Sequence, residues 1–305
     1  MAVGYLRAPS LDRRGAISER VRRTVALLRR RGYALTPARL AEICLGGPVA
    51  EAEVRWAIAA DSDLALAEGL VIQRVALPQA GAIRGRADGH AEASAEYVDM
   101  AVNFVRRLIT LAPFITGVSI AGSLASGGFR SSDDVDLNLI VEDGHRHLAY
   151  VVVNFLGLLH ALRHRAKPVD DLTRRPIAPR LMTVNLVLER SQCRPLERQD
   201  EDMAFELFVA EPVFGLDALN EIVGENPGLL EHFPQLADRP APLLIDCPRR
   251  LSSRFYPALL EAPARYLGEA AWRYMQWTRR HRPDALARVA YVRKTMRPYT
   301  LFDNS

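Results

Sequence analysis

The chain has 305 residues, of which 49% are hydrophobic, and this length exceeds what one hydrophobic core usually holds, so we expect two or three domains. No apolar run reaches the roughly 18 to 20 residues of a membrane span, and the cysteines lack Cys-x-x-Cys spacing, which disfavours a membrane protein, a disulfide framework and a zinc ribbon. The net charge of +4 is too small to indicate nucleic-acid binding by itself. The N-terminal arginines are not followed by an apolar stretch of signal-peptide type, so a cytoplasmic protein is expected.

The N-terminal part of the chain predicts a tail followed by a small helical domain. Residues 1–17 lack hydrophobic periodicity and are expected to be a flexible tail. From Ser18 onward, three short amphipathic helices and a two-stranded hairpin around Gly69 follow one another in the order of a winged helix. Residues 18–77 are therefore assigned to a winged-helix-like domain.

This domain is a candidate contact for DNA or for a protein partner. Winged helices often bind DNA through their third helix, which here is expected over residues 51–60. Its exposed face would carry Glu51, Glu53 and Arg55, a poor set of groups for an anionic duplex. Packing against the rest of the chain, or a homodimer contact, is therefore the favoured alternative.

The remaining chain divides into a linker, a central domain and a helical end. Residues 78–91 contain Pro78 and three glycines among small and charged residues, which is typical of an interdomain linker. A helix over residues 92–111 then opens a domain assigned to residues 92–225. Proline-rich stretches separate it from residues 226–305, where two helices are expected.

Two apolar strands flank a glycine-rich connection in the central domain. The first strand, residues 118–121, ends in Gly122-Ser123, where the backbone can approach a phosphate and donate N–H bonds. The second strand opens with Asp134-Val-Asp136, and strand alternation places both carboxylates on one face. Adjacent carboxylates repel each other unless a cation lies between them, and oxygen-only ligation suits Mg²⁺. The pattern predicts a phosphate and metal site, although an isolated Asp-x-Asp is more often a solvated loop pair.

The combination of these parts is more specific than Asp-x-Asp alone. The strand, the Gly-Ser turn, the glycine-rich connection and Asp-Val-Asp-Leu-Asn-Leu-Ile-Val, together residues 115–141, resemble the signature of the polymerase-β-like nucleotidyltransferase superfamily. The resemblance implies an α+β fold with a mixed sheet and flanking helices. It also implies transfer of a nucleoside monophosphate from a nucleoside triphosphate to a hydroxyl acceptor, with release of pyrophosphate. The sequence identifies neither the acceptor nor the base of the donor.

The resemblance also implies the site residues. Those expected to bind the nucleotide are Gly122, Ser123, Arg130 and Ser132. Asp134 and Asp136 are expected to hold Mg²⁺, with Mn²⁺ as the alternative metal. The catalytic residues are expected to be Asp134, Asp136 and Asn185.

Asn185 is a departure from the superfamily pattern. Active members commonly carry a third carboxylate on the next strand, here expected over residues 181–189, and the matching position is Asn185. An amide can accept a hydrogen bond or ligate weakly through oxygen, but it cannot act as a base at neutral pH.

Three explanations for Asn185 stay open. The chain is a one-metal or water-mediated variant, or another carboxylate such as Glu189, Asp200 or Asp202 replaces the missing one. Alternatively, it is a catalytically degenerate nucleotidyltransferase that acts as a DNA- or protein-binding regulator through its winged helix.

A pair of histidines offers a weaker metal pattern. His160 and His164 lie four residues apart on a helix expected over residues 148–165, a spacing that can serve zinc. The sequence supplies no glutamate between them and no third ligand nearby. Both histidines are therefore expected on the helix surface.

Overall fold

A computed structural model of the chain describes residues 11–164, 181–244, 250–281 and 283–302. Within these residues the protein is α+β, with a two-stranded antiparallel sheet and a four-stranded mixed sheet of order β5-β4-β3-β6. None of the helices in the described ranges is long and apolar enough to cross a membrane. The expected α+β class with a mixed sheet is confirmed.

Three helices and a hairpin form the N-terminal unit in the predicted order. They are α1 (Leu11–Arg30), α2 (Pro37–Glu42), α3 (Glu51–Ala60), β1 (Leu64–Ala67) and β2 (Leu70–Gln73). Thr36 caps α2, because its side chain accepts a hydrogen bond from the Arg39 N–H at 3.3 Å. Helix α1 begins at Leu11 rather than Ser18, so part of the expected tail, residues 1–17, is helical.

The segment expected to be a linker is helical as well. A single helix, α4 (Ala80–Leu111), runs through most of the segment assigned to a linker, residues 78–91, and through the helix expected over residues 92–111. A Cβ added at any of the three glycines of its first half would meet nothing within 4 Å, so these glycines face open space and not a packed interface. Each glycine destabilises a helix by about 1 kcal/mol relative to alanine. The neighbouring alanines and the tertiary contacts of Arg86 offset this cost.

The central sheet contains the strands that the sequence predicted and one that it did not. The strands are β3 (Ile115–Ala121), β4 (Val135–Val141), β5 (Met182–Glu189) and β6 (Glu211–Phe214), and a short helix, α5 (Gly122–Ser126), follows β3. Strand β4 pairs antiparallel with β3 and parallel with β5, while β6 pairs antiparallel with β3. Strand β6 was not predicted. Asp134 directly precedes β4 instead of opening it.

Six further α-helices belong to the described part of the chain. They are α6 (Arg146–Ala161), α7 (Glu201–Val209), α8 (Leu216–Glu225), α9 (Gly228–His232), α10 (Glu261–Arg279) and α11 (Pro283–Met296). Helix α6 lies in the connection between the parallel strands β4 and β5. His160, expected on its surface, is only 7% exposed, because it packs edge-on against Phe104 of α4. The two expected C-terminal helices are confirmed as α10 and α11.

The N-terminal unit packs against the rest of the chain. Residues of α1, such as Val21 and Leu28, belong to the same hydrophobic cluster as Phe205 and Phe233. The Arg31 guanidinium lies 4.7 Å from the centroid of the Phe205 ring and 3.2 Å from the Asp202 carboxylate. This contact fixes the N-terminal unit beside α7, and α7 reaches the candidate site.

Candidate functional site

The Gly-Ser turn and the second aspartate of Asp-x-Asp meet across two neighbouring strands. Ala121 and Asp136 are paired in the antiparallel register of β3 and β4, so the residue after Ala121 lies beside the Asp136 carboxylate. Gly122 has φ of +62°, and a Cβ there would overlap Oδ2 of Asp136. Only glycine satisfies both the backbone conformation and this close approach.

The carboxylate of Asp136 is held from the other side by β5. Thr183 Oγ1 donates a hydrogen bond to Asp136 Oδ1 at 2.6 Å. Asp136 is half-buried, as is Asp134, which lies just outside the strand. The structure therefore brings Gly122 and Asp136 into contact and leaves Asp134 at the entrance of β4.

A third aspartate, Asp133, organises the glycine-rich connection. Its Oδ2 accepts hydrogen bonds from Ser123 Oγ at 3.3 Å and from the Arg130 N–H at 3.1 Å. Arg130 thus contributes its backbone here, while its side chain is exposed, and Ser132 is half-buried. Asp133 was not predicted as a site residue, because the Asp-x-Asp spacing marks only its neighbours Asp134 and Asp136.

Helix α4 supports the same connection through three side chains. Arg86 donates hydrogen bonds to the Gly128 carbonyl and to Asp133, the latter at 3.4 Å. His90 Nδ1 accepts from the Phe129 N–H at 3.4 Å, and Tyr97 donates to the Ser131 carbonyl at 2.9 Å. Burial lowers the pKa of His90, which favours the neutral ring that can accept this bond. Two of these three residues lie in the segment that the sequence assigned to a linker.

The N-terminal unit covers the connection from a second direction. Gly128 lies against Tyr33, where an added Cβ would stand 3.0 Å from the tyrosine Cβ, and Gly127 faces Leu35. Arg86 also donates to the Gly32 carbonyl at 3.3 Å, so one guanidinium joins the unit to the connection. Tyr33 is buried, and this burial raises the pKa of its phenol.

Asn185 belongs to a polar cluster with Asn138 and Glu206, both of which are buried. Its Nδ2 donates to Asn138 Oδ1 at 2.9 Å and to Glu206 Oε1 at 2.8 Å. Asn138 Nδ2 donates to the same Glu206 oxygen at 3.2 Å. The carboxylate nearest to Asn185 in this cluster therefore comes from α7 and not from the strand.

The carboxylates considered as replacements in the sequence analysis have other contacts. Glu189 accepts a hydrogen bond from the Gly144 N–H at 2.8 Å, and Asp200 caps α7 by accepting from the Met203 N–H at 3.0 Å. Asp202 pairs with Arg31. Glu206 was missed, although a charged residue among Met203, Phe205 and Leu207 on a buried helix is a signal that finds such groups.

The donor set at Asp134 and Asp136 suits one class of metal. The described residues contain no group of three or more histidine, cysteine, aspartate or glutamate side chains placed to hold a metal ion. Mg²⁺, however, is usually held by one or two carboxylates together with substrate phosphates and water. The two aspartates fit a metal that arrives with a nucleotide and do not form a cage made by protein alone.

Comparison of the chain with protein-family models, curated proteins and solved structures gave no match. The function is therefore argued from the side chains of the site.

Proposed function

We propose that this chain is a Mg²⁺-dependent nucleotidyltransferase that moves a nucleoside monophosphate from a nucleoside triphosphate to a hydroxyl acceptor and releases pyrophosphate. The observation that carries the proposal is the contact between Gly122 and Asp136. The backbone turn at Gly122, which carries no side chain, lies directly beside the Asp136 carboxylate. A site that holds a phosphate and a metal ion together requires this proximity. The antiparallel pair of β3 and β4 supports the resemblance to the polymerase-β-like superfamily.

The residues of the site have distinct roles in this proposal. Gly122 and Ser123 bind the phosphates, with Arg130 and Ser132 nearby on the connection. Mg²⁺ held by Asp134 and Asp136 would neutralise charge on the phosphates as the pyrophosphate leaves. Thr183 fixes the Asp136 carboxylate through the bond to Oδ1. Arg86 and Asp133 hold the connection in the conformation that brings these groups together.

The test measures nucleotide binding, because the acceptor is unidentified. The melting temperature of each variant is recorded with ATP, GTP, CTP or UTP, with and without Mg²⁺. A ligand at 100 times its Kd adds about 2.7 kcal/mol to the free energy of unfolding, which raises the melting temperature by a readily measured amount. The native chain should show a Mg²⁺-dependent shift that Asp136→Asn and Asp134→Asn lose. The control Asp88→Asn removes an exposed carboxylate on α4 and should keep the shift.

A Mg²⁺-dependent shift that survives in both Asp136→Asn and Asp134→Asn would place the metal elsewhere and contradict the proposed site. No shift with any triphosphate would contradict nucleotide binding altogether.

The second candidate is a catalytically degenerate nucleotidyltransferase that regulates through a winged-helix contact with DNA or a protein. The observation that favours it is the amide of Asn185 where a strand carboxylate is expected. The exposed face of α3 disfavours the DNA version, because Arg55 pairs with Glu51 at 2.6 Å and Glu53 caps the helix. Fluorescence anisotropy with a DNA duplex between 50 and 200 mM salt tests it, since phosphate contacts predict a steep loss of affinity, on the order of 10³-fold for six contacts.

A further inference from the structure

A row of polar side chains crosses from β4 to β5 and ends at Glu206. Asp136 pairs with Thr183 at 2.6 Å, and Asn138, two residues further along the same face of β4, pairs with Asn185 at 2.9 Å. Glu206 closes the row from α7 and is only 7% exposed. In the described part of the chain its hydrogen-bond partners are the two amides, with no cation among them.

The hydrogen bonds of this cluster determine how both amides are turned. An ionised carboxylate only accepts hydrogen bonds, so Asn138 and Asn185 must both present Nδ2 to Glu206. Asn185 also donates to Asn138 Oδ1, which uses both of its N–H groups. The Asn185 carbonyl oxygen, Oδ1, is then the amide oxygen left outside the cluster.

The backbone of β5 supports a special role for this residue. The β4–β5 register shifts between Leu137 and Asn138, whose partners are Val184 and Leu186 respectively. Asn185 is therefore the extra residue of a bulge, a feature that redirects side chains and is common beside active sites. Asn185 is half-buried, whereas Asn138 and Glu206 are buried.

We propose that Glu206 is a positioning residue that holds Asn185 with Oδ1 toward the attacking hydroxyl, so that amide and buried carboxylate together replace the missing strand carboxylate. This inference rests on the proposed nucleotidyl transfer. The acceptor oxygen forms a bond to the α-phosphorus, the bond from that phosphorus to the bridging oxygen breaks, and pyrophosphate leaves with the electron pair. Asn185 accepts a hydrogen bond from the hydroxyl, and the proton passes to water. The charge of Glu206 polarises the amide and strengthens that acceptor.

The experiment compares the native chain with Glu206→Gln and with the double variant Asn185→Asp/Glu206→Gln. The measurement is Mg²⁺-dependent pyrophosphate release from each of the four triphosphates, with water and with glycerol as the hydroxyl acceptor. Loss of a residue that orients a ligand typically costs about 10- to 100-fold, so Glu206→Gln should lower kcat by that factor and leave KM for the triphosphate unchanged. Glu201→Gln, a change on the same helix at a residue paired with Arg23, should leave kcat unchanged.

The double variant separates positioning from a merely structural role. It moves the carboxylate to the strand and pairs it with the amide introduced on α7, so we expect kcat within about threefold of native. If Glu206→Gln does not fold, the double variant alone tests the proposal, because its new amide on α7 still donates to its new carboxylate on β5.

The outcomes distinguish this inference from the function on which it rests. Unchanged kcat in Glu206→Gln, or a double variant as slow as the single one, would overturn the role of Glu206. Nucleotide binding by the native chain without pyrophosphate release would overturn it too, while leaving the nucleotide site standing. No Mg²⁺-dependent binding of any triphosphate would instead remove the proposed function.

Discussion

Gly122 lies so close to Asp136 that a Cβ at position 122 would stand 3.0 Å from the Asp136 Cγ and overlap one carboxylate oxygen. The contact follows from the register, in which Ala121 and Asp136 face each other across β3 and β4. One antiparallel pairing therefore fixes both the backbone turn and the carboxylate. A change that moves either one should disturb the other.

Gly122→Ala should damage both stability and nucleotide binding. Alanine at φ of +62° is strained, and its Cβ would push the Asp136 carboxylate away from Thr183. We expect the free energy of unfolding in urea to fall by about 1 to 3 kcal/mol. The Mg²⁺-dependent nucleotide shift should be lost with it.

The matched control is Gly85→Ala on α4. A Cβ there meets nothing within 4 Å, so alanine should raise the free energy of unfolding by about 0.5 to 1 kcal/mol through its better helix propensity. A Gly122→Ala chain as stable as the Gly85→Ala chain would contradict the close approach to Asp136.

The sequence predicted the strands of the site because their signal is local. Strands β3, β4 and β5 are runs of apolar residues bounded by turns, and each was expected at nearly its observed place. Strand β6 was missed because Glu211–Phe214 is four residues long and contains Pro212. The helical conformation of residues 80–91 was not predicted, because the glycines there were weighed without the tertiary contacts that support helix α4.

The partners of the site residues were not predictable in the same way. Glu206 meets Asn185 only because α7 packs against the sheet, and Arg86 meets Asp133 only because α4 extends past the connection. Neither pairing has a fixed spacing along the chain. The sequence therefore predicted Gly122 and Asp136, which share a strand pair, and missed Glu206, Asp133 and Arg86.

Arg86→Met should loosen the glycine-rich connection. The guanidinium joins Gly32, Gly128 and Asp133, and its side chain is only 14% exposed. Methionine keeps much of the volume but leaves these acceptors without their donor, so we expect a loss of about 1 to 3 kcal/mol in the free energy of unfolding. Hydrogen exchange at residues 128–133 should become faster.

The control for Arg86 lies two residues earlier on the same helix. Arg84 is 44% exposed and pairs with Asp88 one helical turn away, so Arg84→Met should change stability by less than about 0.5 kcal/mol. Equal effects of the two substitutions would show that Arg86 acts only as a surface charge.

His160 should make the protein less stable as the pH falls. Burial, followed by the charges of His164, Arg107 and Arg163, lowers the pKa of His160 to about 4. An unfolded histidine titrates near 6.5, so below that pH the unfolded chain binds a proton that the folded chain does not. The free energy of unfolding should therefore fall between pH 6.5 and about 4.

Two variants separate His160 from other groups that titrate in that range. His160→Phe keeps a ring against Phe104 and should flatten the decrease measured by urea unfolding from pH 7.5 to 4.5. His281→Gln changes an exposed histidine and should keep the native slope. A His160→Phe chain with the native slope would assign the acid sensitivity to other residues.

Glu261 should stabilise the packing of α10 on α6 in a way that depends on its charge. Its carboxylate accepts hydrogen bonds from the backbone N–H groups of His147 and Leu148, at 2.7 and 3.0 Å, at the start of α6. Burial alone would raise the pKa of Glu261, but these bonds and the His147 side chain outweigh it and lower the pKa. A lowered pKa stabilises the folded chain above the pKa of the unfolded chain, about 4.5, and this stabilisation is lost as the pH falls through the folded pKa.

Glu261→Gln should therefore lower the free energy of unfolding by about 1 to 3 kcal/mol at pH 7, and its deficit relative to native should shrink in urea unfolding below pH 4.5. Glu269→Gln breaks only the pair with Arg273 on the same helix and should cost less than about 0.5 kcal/mol, so a deficit for Glu261→Gln that is equally small or constant with pH would rule out the charged cap.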